Sequence, residues 1–185
     1  MPAINTERRL ALTDAAIAVL GRAGAHGLTH RAVDEEAGLP RGTTSNYFPS
    51  RDLLLLATLR RVVDAHREWM TQLQVPAGSG GAADVLVHVM DEAATRHRDR
   101  YVAVFELALE SMRRPALAEA MEPLWNDAVA SVQALHPDLP DAQVQMLNAI
   151  YNGVLFLRLV RPAMLEGARW NEVTRTALGL ALPGG

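Results

Sequence analysis

Between Ala37 and Arg51 the chain reads AGLPRGTTSNYFPSR, with two arginines and no acid, in a protein of formal net charge −3. Thr43, Thr44, Ser45, Asn46 and Tyr47 follow one another as a run of hydrogen-bonding side chains. Such a run has no apolar face of its own to bury, and its chemistry suits the edges of base pairs. An asparagine amide such as that of Asn46 can pair bidentately with adenine, and an arginine such as Arg41 with guanine or a phosphate. The hydroxyls of Thr43, Thr44 and Ser45 can donate or accept at bases and phosphates, and Tyr47 can place its hydroxyl on a phosphate. Gly42 lets backbone approach backbone. Arg51 is placed to clamp a phosphate, and Thr29 and His30 stand where a helix start could dock another.

Three short elements must position these groups. A first helix is expected over about Thr6–Ala23, with Leu12, Ala16, Val19 and Leu20 on one face and Gly24 as its stop. Thr29 suits an N-cap, and the helix after it, about His30–Ala37, turns Ala32, Val33 and Ala37 inward and Asp34, Glu35 and Glu36 to solvent. Gly38 supplies a turn, and Leu39 ties that turn to the core. Pro40 suits the first turn of a third helix, expected over about Pro40–Tyr47, with Phe48 as an anchor. Pro49 breaks the chain, and Ser50 caps a long fourth helix, about Arg51–Leu73, with Asp52 near its positive end. Two helices around a glycine corner follow the helix-turn-helix logic, in which the second helix enters the major groove. A surface corner with no partner is the other reading of the spacing.

The rest of the composition narrows the class. The chain has 185 residues, 49% hydrophobic and 5% aromatic, and no cysteine. Alanine and leucine dominate, which favours helix over sheet. The absence of cysteine excludes disulfides, thiol nucleophiles and cysteine-ligated zinc. No apolar run is long enough for a membrane span and no hydrophobic leader opens the chain, so a cytoplasmic protein is expected. All eighteen basic residues are arginine. Residues 1–67 hold nine arginines and seven acids, and residues 68–185 nine arginines and fourteen acids. The charge asymmetry points to an anion-facing N-terminal end.

VPAGSGGAAD reads as a loop. Beyond it helices are expected over Ala82–His97, Asp99–Met112, Pro115–His136, Pro140–Val160 and Asn171–Leu182, with Pro123 inside one of them. The expectation is an all-α fold of nine helices. The run MLNAIYNGVLFLRLV is apolar nearly all round and should be buried on both faces. Asp84, His88 and Asp91 or Glu92 share a helix face, but no metal and no cofactor is expected. Glu-x-x-His pairs, a phosphate-binding glycine loop and a Gly-x-Ser-x-Gly elbow are all missing, which argues against an enzyme.

The stretch LTHRAVDEEAGLPRGTTSNYFPSRDLL resembles the signature of the TetR family of bacterial regulators. Thr29, Val33, Ala37-Gly38-Leu39, Gly42, Tyr47-Phe48, Ser50-Arg51-Asp52 and Leu54 carry the likeness, and DAAIAVLGRAG before them matches as well. Three positions differ: Ser45 stands where many relatives have an aromatic, Asp34 where they have a small residue, and Arg51 where a lysine is usual. The resemblance implies a DNA-binding domain over 1–50 and a helical regulatory domain over 51–185. It implies a homodimer that binds a pseudo-palindromic double-stranded operator as a repressor and is released by a small-molecule effector. Half-sites would lie about 34–36 Å apart.

On the helices that the family uses for its pocket, Trp69, Met90, Phe105, Glu106, Leu109, Met112, Trp125 and Val129 are the candidates, with ordinary core packing as the other reading of each. Glu106 and Glu110, one turn apart, would select a cationic effector if they faced inward. The dimer interface implied for the last two helices would use Leu147, Tyr151, Gly153, Val154, Leu155, Leu178 and Leu182, against the alternative of a monomeric bundle. A helical-bundle enzyme and an interaction module without DNA binding are the competing functions.

Overall fold

The computed structural model describes residues 5–74, 82–164 and 167–179. Within them the secondary structure is helical throughout. It comprises α1 (Thr6–Gly27), α2 (His30–Glu36), α3 (Thr43–Tyr47), α4 (Arg51–Gln72), α5 (Ala82–Ala94), α6 (Arg98–Ser111), α7 (Pro115–Leu135), α8 (Asp141–Val160) and α9 (Gly167–Gly179). A single 3-10 turn, Pro162–Met164, links the last two. The chain folds as two compact units, one of residues 1–73 with 99–123, the other of residues 74–98 with 124–185.

In the first unit α1 packs on α2 and α4, and α2 on α3. Leu12, Ala15, Ala16, Val19 and Leu20 are buried at helical spacing along α1, and the Arg8 N–H donates to the Asn5 side chain at its start. The helix does not simply end at Gly24. That residue takes φ 65° and ψ −177°, and helical turns resume to Gly27. Thr29 caps α2 as expected, accepting from the Ala32 N–H at 3.1 Å, and Ser50 caps α4 by accepting from Leu53. Leu28, Val33, Phe48, Leu54, Leu55 and Leu59 close the core among these helices.

Two expectations fail here. The third helix starts at Thr43 rather than Pro40, because Pro40 to Thr43 forms a turn whose Thr43 N–H donates to the Pro40 carbonyl at 3.1 Å. Asp34 is not on a solvated face: it is 1% exposed.

In the second unit α5, α8 and α9 pack together. Leu86, Val87 and Met90 of α5, Val144, Leu147, Leu155 and Leu159 of α8 and Trp170 of α9 form its interior. Arg175 pairs with Asp84 at 2.9 Å and Arg158 with Asp91 at 3.9 Å, while the Arg158 guanidinium lies 5.0 Å over the Trp170 ring. Two of the acids that share a face of α5 are thus occupied by arginines. The last helix starts earlier than expected, at Gly167 instead of Asn171, and the expected end at Leu182 lies outside the described residues.

Candidate nucleic-acid interface

A helix of five residues cannot hold itself together, since nucleation costs more than its few hydrogen bonds return. Gly42, at its N-cap, offers no side chain to cap it, and its φ of 89° lies in the left-handed region that favours glycine. The missing cap comes from α2. The Asp34 carboxylate accepts from the Gly42 N–H at 2.8 Å, from the Thr44 N–H at 2.7 Å and from the Thr44 hydroxyl at 2.5 Å. Burial alone would push the Asp34 carboxyl up. The Thr44 hydroxyl and N–H, the Gly42 N–H and the nearby His30 outweigh it and hold the group below the ordinary carboxylate value. At the other end of α3 the Phe48 N–H donates to the Thr44 carbonyl at 2.8 Å, and the His30 ring Nε2 donates to the Phe48 carbonyl at 2.6 Å. The recognition helix is therefore clamped at both ends by residues of α2.

That clamp separates the expected site residues into two groups. Arg41, Gly42, Ser45 and Asn46 are exposed, and Thr43 and Tyr47 are half-buried. Arg41 reaches no closer than 3.9 Å to Glu35. Thr43 donates its hydroxyl to the Pro40 carbonyl and Ser45 its hydroxyl to the Gly42 carbonyl, which leaves oxygen lone pairs on the open side. Thr44 is a correction. It is fully buried on Asp34, so it holds α3 in place instead of meeting a ligand.

Arg51 is a second correction. Its guanidinium donates to the carbonyls of Ala25 and Leu28, closing the C-terminal end of α1, where helix carbonyls lack partners. The side chain expected to clamp a phosphate instead ties α4 to α1. Thr29 keeps an exposed hydroxyl beside its capping role, and His30 is half-buried against Phe48.

The pocket candidates fall in different units. Trp69 lies edge-on to His66 and Tyr101, with ring centroids 5.8 and 6.2 Å away, in the first unit. Phe105 is half-buried there too. Glu106 faces α1, where it accepts from the Ala25 N–H at 2.7 Å beside the Gly24 bend, and Glu110 pairs with Arg114. Neither carboxylate is set aside for a cationic effector. Leu109 and Met112 point to solvent, at 57% and 80% exposure, and do not line an interior. In the second unit Met90 is buried, and Trp125 and Val129 are half-buried.

The large apolar side chains left exposed on α8 lie nearly opposite the face expected to hold the interface. Leu147 and Leu155 are buried in their own unit, because they sit on the face that meets α5 and α9. Tyr151 and Val154 are half-buried and Gly153 is exposed. Met146, Phe156, Leu157 and Val160, which the sequence reading did not name, are all large, apolar and exposed. Leu182 and the side chain of Leu178 lie outside the described residues.

Two family models match the chain. The one described as Tetracyclin repressor-like, C-terminal domain, covers residues 77–184, and the one described as Bacterial regulatory proteins, tetR family, covers residues 12–58. The chain is 28% identical over 175 residues to the HTH-type transcriptional regulator BetI of Agrobacterium fabrum, spanning 89% of this chain and 84% of that protein. Its fold is similar to a TetR-family member from Streptomyces coelicolor, with a TM-score of 0.72, 30% identity and coverage of 96% and 99% of the two chains. It is also similar to the multidrug binding protein EbrR complexed with ethidium, with a TM-score of 0.73, 28% identity and coverage of 95% and 99%. An exposed polar recognition helix on a three-helix scaffold and matching models over both parts of the chain lead to one conclusion: this protein belongs to the tetR family of bacterial regulatory proteins and is a DNA-binding transcriptional regulator, not an enzyme.

Proposed function

We propose that two copies of this chain bind a pseudo-palindromic operator, repress transcription from it, and release it when a small molecule binds the regulatory helices. The observation that carries the reading is the open edge of α3. Ser45 and Asn46 are exposed on a helix fixed at both ends from below, and Arg41 is exposed in the turn that leads into it. Asn46 and Arg41 read bases in the major groove, the hydroxyl oxygens of Thr43 and Ser45 accept from base donors, and the hydroxyls of Tyr47 and Thr29 donate to phosphates.

The second copy is supported by α8. Met146, Ala149, Gly153, Phe156, Leu157 and Val160 are exposed at intervals of three and four residues and form one stripe along the helix. Val173 of α9 is exposed as well. Such a stripe buries itself well against its own twin across a two-fold axis, and Gly153 leaves open space in which helices can approach. The effector is proposed to contact Met90, Trp125 and Val129. EbrR has been crystallised with ethidium and with proflavin, and these two dyes are the first probes to try. The protein acts in the bacterial cytoplasm, at the nucleoid when bound.

Selection of bound duplexes from a random pool tests the reading. A recovered inverted repeat that ethidium, proflavin or another small molecule releases is expected. A pool that yields no enriched sequence sinks the DNA assignment, and an enriched site with a single half sinks the dimer.

A further inference from the structure

We propose that Arg9, in the first turns of α1, is a clamp for a DNA backbone phosphate beside the recognition helix. The proposal rests on the DNA-binding reading and adds a site on a helix that takes no part in the α2–α3 motif.

The guanidinium carbon of Arg9 lies 4.8 Å from the centroid of the Phe48 ring. Phe48 is the residue that terminates α3. It is 2% exposed, its N–H is bound to the Thr44 carbonyl and its own carbonyl to His30. The ring is therefore a fixed floor at one end of the recognition helix, and the cation over it is held beside that end. A guanidinium over an aromatic face is attracted by the negative face of the ring. Its N–H groups lie in the guanidinium plane and are not consumed by the contact with the ring.

Those N–H groups have no acceptor among the described residues, and no carboxylate pairs with Arg9 there. The contrast with other arginines of the same unit is direct. Arg61 is taken by Asp14 and Glu68, Arg114 by Asp52 and Glu110, and Arg51 by two backbone carbonyls. Arg8, the preceding residue, is exposed and also without an acid partner among the described residues. With Arg51 withdrawn to close α1, Arg9 is a preorganised and unneutralised planar fork next to α3. A planar fork of this kind matches a phosphate in two-point contact. Because phosphates carry no sequence information, the contact strengthens binding to every duplex alike.

The test uses the full chain, a fluorescein-labelled 30-base-pair duplex recovered by selection, and an unselected duplex of the same length. Each is titrated over a series of KCl concentrations with the parent, Arg9→Gln and Arg9→Lys. Each neutralised phosphate contributes a salt slope of about 0.9, so losing one from each of two subunits lowers the slope by about 1.8. Arg9→Gln is expected to show that drop, with roughly tenfold weaker binding to both duplexes at fixed salt, and Arg9→Lys to retain most of the slope. Arg9→Gln with the parent's slope overturns the proposal, as does a loss confined to the selected duplex. A purely structural role would lower the unfolding midpoint and leave the slope where it was. A parent that binds neither duplex overturns the DNA-binding reading itself, whereas a binding parent with an unchanged Arg9→Gln slope overturns this inference alone.

Discussion

Asp34 and Thr44 are ten residues apart and joined by two hydrogen bonds, from the Thr44 N–H at 2.7 Å and from its hydroxyl at 2.5 Å. Through this pair one acidic side chain of α2 serves as the cap of α3. Removing it leaves the half-buried Gly42 N–H and the buried Thr44 N–H without their partner. Asp34→Ala is expected to destabilise the fold by about 2–3 kcal/mol in urea unfolding and to abolish selective DNA binding, since the recognition helix loses its start. The pH dependence follows from the lowered carboxyl. The contribution of Asp34 is fully present above the unfolded value of about 3.9 and is lost as pH falls through the lower folded value. The stability gap between parent and Asp34→Ala should thus be flat from neutral pH to about pH 5 and should narrow only below about pH 4. A gap that closes near neutrality contradicts the capping role.

Asn46→Ala and Arg41→Ala separate reading from holding. Both side chains are exposed, so neither change should move the unfolding midpoint by more than about 0.5 kcal/mol. If Asn46 meets a base, its loss costs about 1–3 kcal/mol of operator binding and relaxes the preference at one position of the site. Polarisation titrations against the selected duplex and its single-base variants measure both. Wild-type affinity in the two variants would remove these residues from the interface.

Arg51 gives the opposite pattern. It binds the Ala25 and Leu28 carbonyls, and Arg51→Ala uncaps the end of α1. A loss on the order of 2 kcal/mol in thermal or urea unfolding is expected, with the salt slope of DNA binding held at the parent's value. A stable Arg51→Ala protein with a reduced slope would return this arginine to the phosphates.

Phe156 lies in the exposed stripe of α8 at 44% exposure. Placing a charge there should leave each subunit folded but oppose a partner, because an ion buried at an apolar interface goes unpaired. Sedimentation of Phe156→Arg is expected to show a monomer with the parent's helical circular dichroism. An intact dimer at micromolar concentration would put the interface elsewhere.

Much of the scaffold can be read without coordinates, and the reason is local. Thr29, Ser50 and the apolar spacing of Leu12, Ala16, Val19 and Leu20 act within a few residues of themselves, so periodicity and cap chemistry reveal α1, α2 and α4 directly. The polar character of α3 is equally visible, because a run from Thr43 to Tyr47 has no apolar side to hide. What periodicity cannot show is which side a residue faces when a second segment competes for it. Asp34 reads as one of three solvated acids, yet the bare N–H groups at Gly42 and Thr44 draw it inside. The signal was its place in the helix, one residue after buried Val33, together with a following helix that lacks its own cap.

The amino-acid sequence by itself determined the helical class, the order of the helices, the glycine corner and the hydrogen-bonding run, all of them consequences of local propensity and spacing. The tertiary structure alone decided the uses of individual polar groups. It turned Thr44 and Arg51 inward, set Glu106 on the Ala25 N–H, placed Arg9 over Phe48, and chose which side of the nearly all-apolar α8 stays open. The physical reason is that an orphaned backbone group or an aromatic face at one point of the chain selects its partner through space, and the partner can lie anywhere in the sequence.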